Sequence, residues 1–423
     1  MNVFELSQER LHYIFQEFDN IYVSFSGGKD SGAMLNLCID YIRKNNINKR
    51  IGVFHLDYEA QYEMTTEYVN KVLGENLDII DVYRCCVPFK VTTCTSMQES
   101  YWRPWDETKQ DIWVSPLPEN CYTKKDFDFY TEDMWDYDFQ EQFSLWIHNK
   151  KQANKTCCLV GIRTQESLNR WRAIHSDRNY KKYNNKEWTK QMYDNIYNAY
   201  PIYDWVTEDI WVGNYKFEWS YNKLYDVYYQ AGLTVDQMRV ASPFISTAQD
   251  SLKLYRIIEP HTWGKLIGRV NGVNFTGLYG GTTAMGWKEI KLPNCHTWKT
   301  YMEFLLSTLP EDIAANYTNK LNTSIKFWKE KGGCLSLDVI NKLKDLEIPF
   351  DVKENTNYKT NKKPVTMDYQ DDIDIKEFNE IPTYKRMCIC IMKNDHLCKF
   401  MGFSATKKET EIRKQAELKF KNI

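Results

Sequence analysis

The sequence predicts an α/β fold, a doubly wound and mostly parallel sheet with helices on both faces, joined to a mainly helical second domain. Three observations predict it. Short apolar runs alternate with amphipathic stretches through the first third of the chain. A loop holding two glycines joins the first such run to the helix after it. At 423 residues the chain exceeds what one ordinary core fills, which predicts two domains, at about 1–235 and 236–423.

The elements follow in order. Residues 5–18 place Leu6, Leu11, Ile14, Phe15 and Phe18 at helical spacing, and 21–25 (IYVSF) read as a buried strand. A helix over about 30–43 turns Met34, Leu35, Leu37, Cys38 and Ile42 inward. Residues 51–56 form the second strand, 60–73 a helix and 77–83 a third strand. Over about 95–140 the rhythm breaks. Tyr101-Trp102-Arg103-Pro104-Trp105 leads to Pro116 and Pro118, and then Asp126, Asp128, Glu132, Asp133, Asp136, Asp138 and Glu141 alternate with aromatics. This reads as an insertion over the sheet edge, its acids a solvated face rather than a metal site. A helix over 139–151 and a strand over 157–161 (CCLVG) restore the pattern. From about 237 the texture changes, with a glycine-rich stretch at 264–286. Residues 353–367, poor in apolar side chains, read as a mobile connector.

Composition excludes several classes. A net charge of -2 argues against bulk electrostatic binding to nucleic acid. No run of about eighteen apolar residues is present, so no membrane span is expected. Residues 1–10 lack a basic segment followed by an apolar one, so the chain reads as cytoplasmic. The twelve cysteines then read mostly as reduced core thiols. In a strand, neighbours such as Cys85-Cys86 and Cys157-Cys158 point to opposite faces and seldom bond to each other.

Ser26-Gly27-Gly28-Lys29-Asp30-Ser31 carries the clearest chemistry. A phosphate needs converging N–H donors with no side chain in the way, which Gly27 and Gly28 allow. The helix that follows offers unpaired N–H groups and a positive dipole end. Ser26 and Ser31 add hydroxyls, and Lys29 adds a charge. The spacing is not that of a Walker A loop. The alternative is a tight turn with a Ser cap. Gly161 ends a strand where open α/β sheets bind ligands, and Arg163 can grip a phosphate or sulfate bidentately or pair with Glu166 at the surface. Asp57, at the end of the second strand, can bind nucleotide or metal, or cap the next helix. Asp30 and Asp57 are the candidate Mg²⁺ ligands.

These residues resemble the PP-loop of the N-type ATP pyrophosphatases, the adenine nucleotide α-hydrolase-like superfamily, and within it the phosphoadenosine phosphosulfate (PAPS) reductase-like family. His55-Leu56-Asp57 stands where that family has an acid near the nucleotide. Gly161-Ile162-Arg163-Thr164-Gln165-Glu166-Ser167 is similar to its Gly-x-Arg-x-x-x-Ser segment. Pro201-Ile202-Tyr203-Asp204-Trp205 before Asp209-Ile210-Trp211 resembles its Pro-Leu-x-Asp-Trp helix start. The likeness spans about 20–235. It implies ATP or a related adenine nucleotide with Mg²⁺, held by Ser26–Ser31, Asp57, Gly161 and Arg163, with Lys29, Asp30, Asp57 and Arg163 catalytic. The reductases' Glu-Cys-Gly-x-His segment is missing, as is a Cys-x-x-Cys partner for an iron–sulfur site. The resemblance therefore implies adenylylation of an acceptor with pyrophosphate release, linked to sulfur transfer. PAPS or adenylyl-sulfate reduction is the alternative, and a nucleotide- or sulfonucleotide-sensing regulator acting through a partner protein is another. Gly277-Leu278-Tyr279-Gly280-Gly281 and Cys295-His296-Thr297-Trp298 resemble the uncharacterised domain that accompanies this branch.

Two further clusters carry weaker chemistry. Cys388, Cys390, His396 and Cys398 suggest zinc, but 386–401 reads as a helix closed by Gly402, ahead of a capping box at Thr406-x-x-Glu409. On a helix Cys388 and Cys390 stand about 200° apart and cannot share a metal. The basic stretch Arg170–Lys190 interleaves Arg170, Arg172, Arg178, Lys181, Lys182, Lys186 and Lys190 with Trp171, Tyr180, Tyr183 and Trp188. It can hold an anionic second substrate, single-stranded nucleic acid included, or simply be a solvated surface.

Overall fold

The computed structural model describes residues 2–166, 168–175, 181–242, 244–245, 248–279, 292–353 and 361–403. They form two compact units. Of these residues, those up to 91 and those over 102–270 make up the first, and those over 92–101 and from 271 onward make up the second.

The first unit begins with α1 (Val3–Glu17), opened by a capping box in which the Asn2 side chain accepts from Glu5 N–H and the Glu5 carboxylate accepts from Asn2 N–H. The sheet then builds outward through β1 (Asn20–Ser24), α2 (Lys29–Lys44), β2 (Ile51–Leu56), α3 (Glu63–Gly74) and β3 (Ile80–Cys85). Short strands β4 (Val91–Thr92) and β5 (Tyr101–Trp102) come next, where residues 92–101 belong to the second unit, and the rest of the insertion follows over 103–135. Helix α4 (Asp136–Lys150) leads back to β6 (Thr156–Val160), α5 (Leu168–His175), β7 (Thr189–Tyr193), β8 (Ile196–Ala199), α6 (Thr207–Lys216) and α7 (Leu224–Gln230). The spatial order is β3-β2-β1-β6-β8-β7. All neighbours pair in parallel except β7 with β8. From β1 the chain winds to one side, and from β6 to the other. The ends of β1 and β6 therefore flank the crossover crevice where open α/β sheets bind ligands.

Parallel strands covered on both faces must be apolar throughout. β2 is buried at all six positions. Ile21, Val23, Val53 and Leu159 share one core with Leu11 and Ile14 of α1, Met34, Leu35 and Cys38 of α2, and Val69 of α3, while Tyr22, Phe54 and Tyr83 meet Phe143 of α4. The expected doubly wound sheet is present. Its third strand runs to Cys85, two residues past the expected 83, so Arg84 lies inside it.

The first unit also holds α8 (Gln249–Ile258) and α9 (Pro260–Arg269). Tyr62 and Tyr255 stack at 3.5 Å. Tyr62 donates to Ser251 O at 2.7 Å, and Tyr255 donates to Ala60 O at 2.9 Å. The fully buried Glu59 carboxylate, at φ 64, accepts from Arg269 at 2.8 Å, Trp105 N at 2.7 Å and Val114 N at 3.1 Å. One acid so ties the insertion and α9 to the end of β2.

The second unit contains α10 (Val273–Tyr279), α11 (Trp298–Ser307), α12 (Glu311–Glu330), β9 (Gly333–Leu335), α13 (Leu337–Asp345), β10 (Phe350–Val352), β11 (Lys363–Met367) and α14 (Tyr384–Met392). A core around Trp298, Met302, Tyr317 and Met387 joins α11, α12 and α14. The short antiparallel sheet β10-β11-β9 covers α13 through Leu335, Ile340, Leu343 and Val365. Residues 353–367 are therefore not simply a connector. Their last five form the central strand, with Val365 and Met367 buried, while 354–360 lie outside the described residues. The helix expected over 386–401 stops at Met392. Asn394 (φ 51) and Cys398 (φ 52) turn left-handed, and a 3₁₀ turn at Lys399–Met401 ends on Gly402 at φ 86. Gly280, Gly281 and the capping box at Thr406 lie outside the described residues. Among the described residues no helix is long and apolar enough to cross a membrane.

Candidate functional site

The Ser26–Ser31 loop leaves β1 and opens α2 with Gly28 as N-cap. Glycine gives that cap no side-chain acceptor, so the cap itself takes none of the first turn's N–H donors. Gly27 sits at φ 75, and a Cβ there would meet Val69 at 3.0 Å and Thr65 at 3.1 Å. Ser26 and Ser31 close the loop with a hydroxyl contact at 3.0 Å, and Ser26 N–H donates to Ser31 Oγ at 3.1 Å. Asn222 braces it from outside, donating to Gly27 O at 3.1 Å and to Thr65 Oγ1 at 2.9 Å. The Tyr225 hydroxyl accepts Lys29 N–H at 3.1 Å.

Beyond β6, Gly161 comes against the start of α2. A Cβ on it would stand 2.7 Å from Asp30 O and 2.9 Å from Ser31 N, so only glycine permits this approach. The contact delivers Arg163 to the loop. Arg163 is 1% exposed, so it is not the surface residue that pairing with Glu166 alone would make it. Its Nε donates to Asp30 Oδ1 at 2.6 Å, Nη1 donates to Gln165 Oε1 at 3.1 Å, and Nη2 lies 3.7 Å from Glu166. Asp30 Oδ2 accepts from Lys29 Nζ at 2.8 Å. Glu166 also lies 4.0 Å from Lys29 and pairs with Arg170. Gln165 accepts Thr207 N–H at 2.9 Å, and Thr164 N–H donates to Tyr203 O at 2.8 Å. Arg10 grips Asp204 through two bonds of 2.7 Å, and Trp205 donates to Ser7 Oγ at 2.8 Å. The Pro201–Trp205 segment thus anchors the arginine loop to α1 rather than facing a ligand.

Four cations converge here, Lys29, Arg163, Arg170 and Arg239, against the acids Asp30 and Glu166. Burial pushes the Lys29 ammonium's pKa down. Asp30 pulls it back up, and Arg163 and Arg239 push it further down. Arg239 carried no motif. It is exposed, and buried Met238 and Val240 on either side hold its backbone. Val240 reaches to 3.5 Å from where a Gly28 Cβ would be, and Tyr228 donates to Arg239 O at 3.1 Å.

Asp57 is engaged by other partners. Its Oδ2 accepts from Arg84 Nε at 2.8 Å and Nη2 at 2.6 Å, and its Oδ1 accepts Glu59 N–H at 2.9 Å. Both oxygens of Asp30 are likewise taken by cations. Each oxygen of Asp30 and of Asp57 thus already accepts from the protein, and each keeps a further lone pair with which the expected Mg²⁺ ligation would have to be made. Among the described residues no cluster of three or more His, Cys, Asp or Glu is placed to hold a metal. Cys388 donates to Trp298 O at 3.5 Å, Cys390 to Asp395 at 3.7 Å, and His396 contacts Ser96 O at 3.3 Å.

The basic stretch divides. Arg170 joins the loop cluster. Tyr183 and Trp188 are buried core residues packed near Tyr13, so they are not stacking platforms. Trp171 is half exposed and stacks on His175 at 4.5 Å. Ser167, Arg178, Tyr180 and the Arg172 side chain lie outside the described residues.

A glycine loop at the crossover of a parallel sheet, met by an arginine from the next crossover loop, defines the PP-loop class of α/β domain. The chain belongs to the phosphoadenosine phosphosulfate reductase domain family, which matches residues 20–231, and residues 232–412 match a domain of unknown function, DUF3440. It is 31% identical over 426 residues to the uncharacterised protein YbdN of Escherichia coli strain K12, covering 100% of this chain and 95% of that one. Among solved structures it is similar to phosphoadenylyl-sulfate reductase from Candida auris, at 14% identity and TM-score 0.29, covering 52% of this chain and 84% of that one. It is also similar to the U34-tRNA thiolase NcsA from Methanococcus maripaludis, at 10% identity and TM-score 0.32, covering 64% and 78%.

Proposed function

We propose that this chain binds ATP or a closely related adenine nucleotide at Ser26–Ser31 and transfers its adenylyl group to an acceptor oxygen. The observation that carries the reading is the meeting of an uncapped helix start with Lys29, Arg163, Arg170 and Arg239 at the β1/β6 crossover. Four cations against two acids leave two positive charges for an anionic ligand. The loop N–H groups and Lys29 hold the phosphates, while Arg163 and Arg170 hold the chain end of Asp30 and Glu166 and neutralise charge as it moves. The acceptor oxygen forms a bond to the α-phosphorus as the bond to the bridging oxygen breaks. Pyrophosphate leaves with that oxygen, and the acceptor proton passes to solvent. Asp57 enters as a brace between the ends of β2 and β3. Membership of the family supports an acceptor linked to sulfur transfer.

The family also favours a second reading, with PAPS as the ligand. Calorimetric titration with ATP, AMP, adenylyl sulfate and PAPS, beside the double variant Lys29→Ala, Asp30→Ala, separates the two. ATP binding best and lost in the variant, followed by pyrophosphate release with an acceptor, supports adenylylation. PAPS binding more than about tenfold tighter, a difference of ~1.4 kcal/mol, overturns it.

A further inference from the structure

Helix α7 brings a hydroxyl to the start of α2. The chain turns into α7 on Asn222, whose Oδ1 accepts Leu224 N–H at 3.0 Å while its Nδ2 holds Gly27 O and Thr65. That turn seats Tyr225 against the loop, 5% exposed, with Trp211 packed edge-on at 5.7 Å. The Tyr225 oxygen accepts Lys29 N–H at 3.1 Å and stands 3.4 Å from where a Gly28 Cβ would be. Ser26 Oγ stands 3.3 Å from the same point, and Val240 Cγ2 3.5 Å. The Tyr225 hydroxyl therefore lies beside the cap of α2, bonded to the first N–H of that helix.

A phenol has one proton to give as well as lone pairs that accept. Lys29 N–H fills one lone pair, but among the described residues no group accepts the Tyr225 proton. Asp30, whose charge bears on this hydroxyl, spends Oδ1 on Arg163 and Oδ2 on Lys29. Other buried tyrosines of the same unit do not share this condition. Tyr62, Tyr68, Tyr228 and Tyr255 donate to the carbonyls of Ser251, Ser220, Arg239 and Ala60, at 2.7, 3.2, 3.1 and 2.9 Å. Burial pushes the Tyr225 phenol's pKa up. Asp30 and Tyr68 add to the shift, and Lys29 N–H and Arg239 oppose it, so the proton stays in place at neutral pH. A buried hydroxyl proton with no acceptor is costly, and here it stands at the one place in the loop where a phosphate oxygen can take it.

We propose that Tyr225 is a further ligand-binding residue of the nucleotide site, its hydroxyl donating to a non-bridging oxygen of the phosphate chain held at the start of α2. This rests on the reading of Ser26–Ser31 as that site. The bonds then run in one direction, from Lys29 N–H to the Tyr225 oxygen and from the Tyr225 proton to the phosphate, and each strengthens the next. The acceptor is charged, which makes the second bond the stronger kind. Tyr225 so turns a backbone N–H that it covers into an O–H donor further out.

The test titrates the full chain with ATP and with inorganic pyrophosphate by calorimetry at pH 7, in the wild type, in Tyr225→Phe and in Tyr225→3-fluorotyrosine. Tyr225→Phe should weaken both ligands by at least about fivefold, the loss of one hydrogen bond to a charged group. Fluorine makes the phenol a better donor and a poorer acceptor with little change of shape. The fluorotyrosine chain should therefore bind both ligands more tightly than the wild type, whereas a tyrosine that only accepts from Lys29 would bind them no better. A smaller loss in Tyr225→Phe, or fluorotyrosine binding no tighter than tyrosine, overturns the proposal and leaves the nucleotide reading standing. A wild-type chain that takes up neither ATP nor pyrophosphate overturns both.

Discussion

Replacing Gly161 by alanine tests how the crossover contact sets the loop. The added Cβ would stand 2.7 Å from Asp30 O, 2.8 Å from Asp30 C and 2.9 Å from Ser31 N, all backbone atoms with no flexible end to swing aside. Ordinary contact begins near 3.4 Å, so the start of α2 must withdraw by about 0.7 Å. The strand cannot yield instead, because β6 is held between β1 and β8. That withdrawal pulls Asp30 from Arg163, now 2.6 Å away, and moves the N–H groups that open the helix. Overpacking of this size costs about 1–3 kcal/mol in stability. A displacement approaching 1 Å at a positioned phosphate costs roughly ten- to a hundredfold in affinity. Thermal melts and calorimetric titration with ATP measure both, and Gly74→Ala, whose Cβ would meet nothing within 4 Å, is the control. ATP affinity within twofold of wild type in the Gly161 variant would refute the argument that this contact positions the loop.

Further outcomes follow from the ion pairs and from burial. Arg163→Met should cost about 1.5–3 kcal/mol in urea unfolding by removing the charged bond to Asp30, which Lys29 still faces, and Asp30→Asn should cost less in that background than alone. Purely additive losses would show that the pair does not couple. Arg269→Met should cost ~3–5 kcal/mol, since it strands a fully buried Glu59; a loss below ~1 kcal/mol would count against that buried pair. Burial lowers the pKa of His55, whose Nδ1 meets Phe25 O at 2.8 Å, so the folded state binds its proton less readily than the unfolded state. Its contribution is complete above the unfolded value near ~6.5 and is lost as pH falls below it, by at most ~1.4 kcal/mol per pH unit. His55→Gln should flatten that part of the stability–pH curve, and an unchanged slope would exclude His55 as its source.

The sheet and its loop were legible because local rules agree there. IYVSF, two glycines and an amphipathic helix can be satisfied together in few other ways. Arg163 was legible as a residue of the loop beyond β6, but not as a buried one, since its depth depends on Gly161 touching α2 from another strand. The lock of Arg84 on Asp57 spans 27 positions, and with the third strand read as ending at 83 there was no reason to aim Arg84 at an acid. Arg239 was illegible for a similar reason, lying past the last motif and held by packing rather than pattern. In the second unit the strands β9 and β10 have only three residues each, too few to show a period of two. The composition of 353–367 hid a central strand whose only buried large apolar side chains are Val365 and Met367, beside buried Pro364 and Thr366.

The Glu59 junction has a consequence for anyone dividing the gene. The reductase-family match stops at 231, which invites truncation there. Such a cut would discard Arg269 and leave the buried Glu59 carboxyl without its cation against the N–H groups of Trp105 and Val114, with Tyr62 bared where Tyr255 had covered it. The two sequence families therefore share one folding unit across their border, since α8 and α9, beyond the point where the alignments part, belong to the first unit.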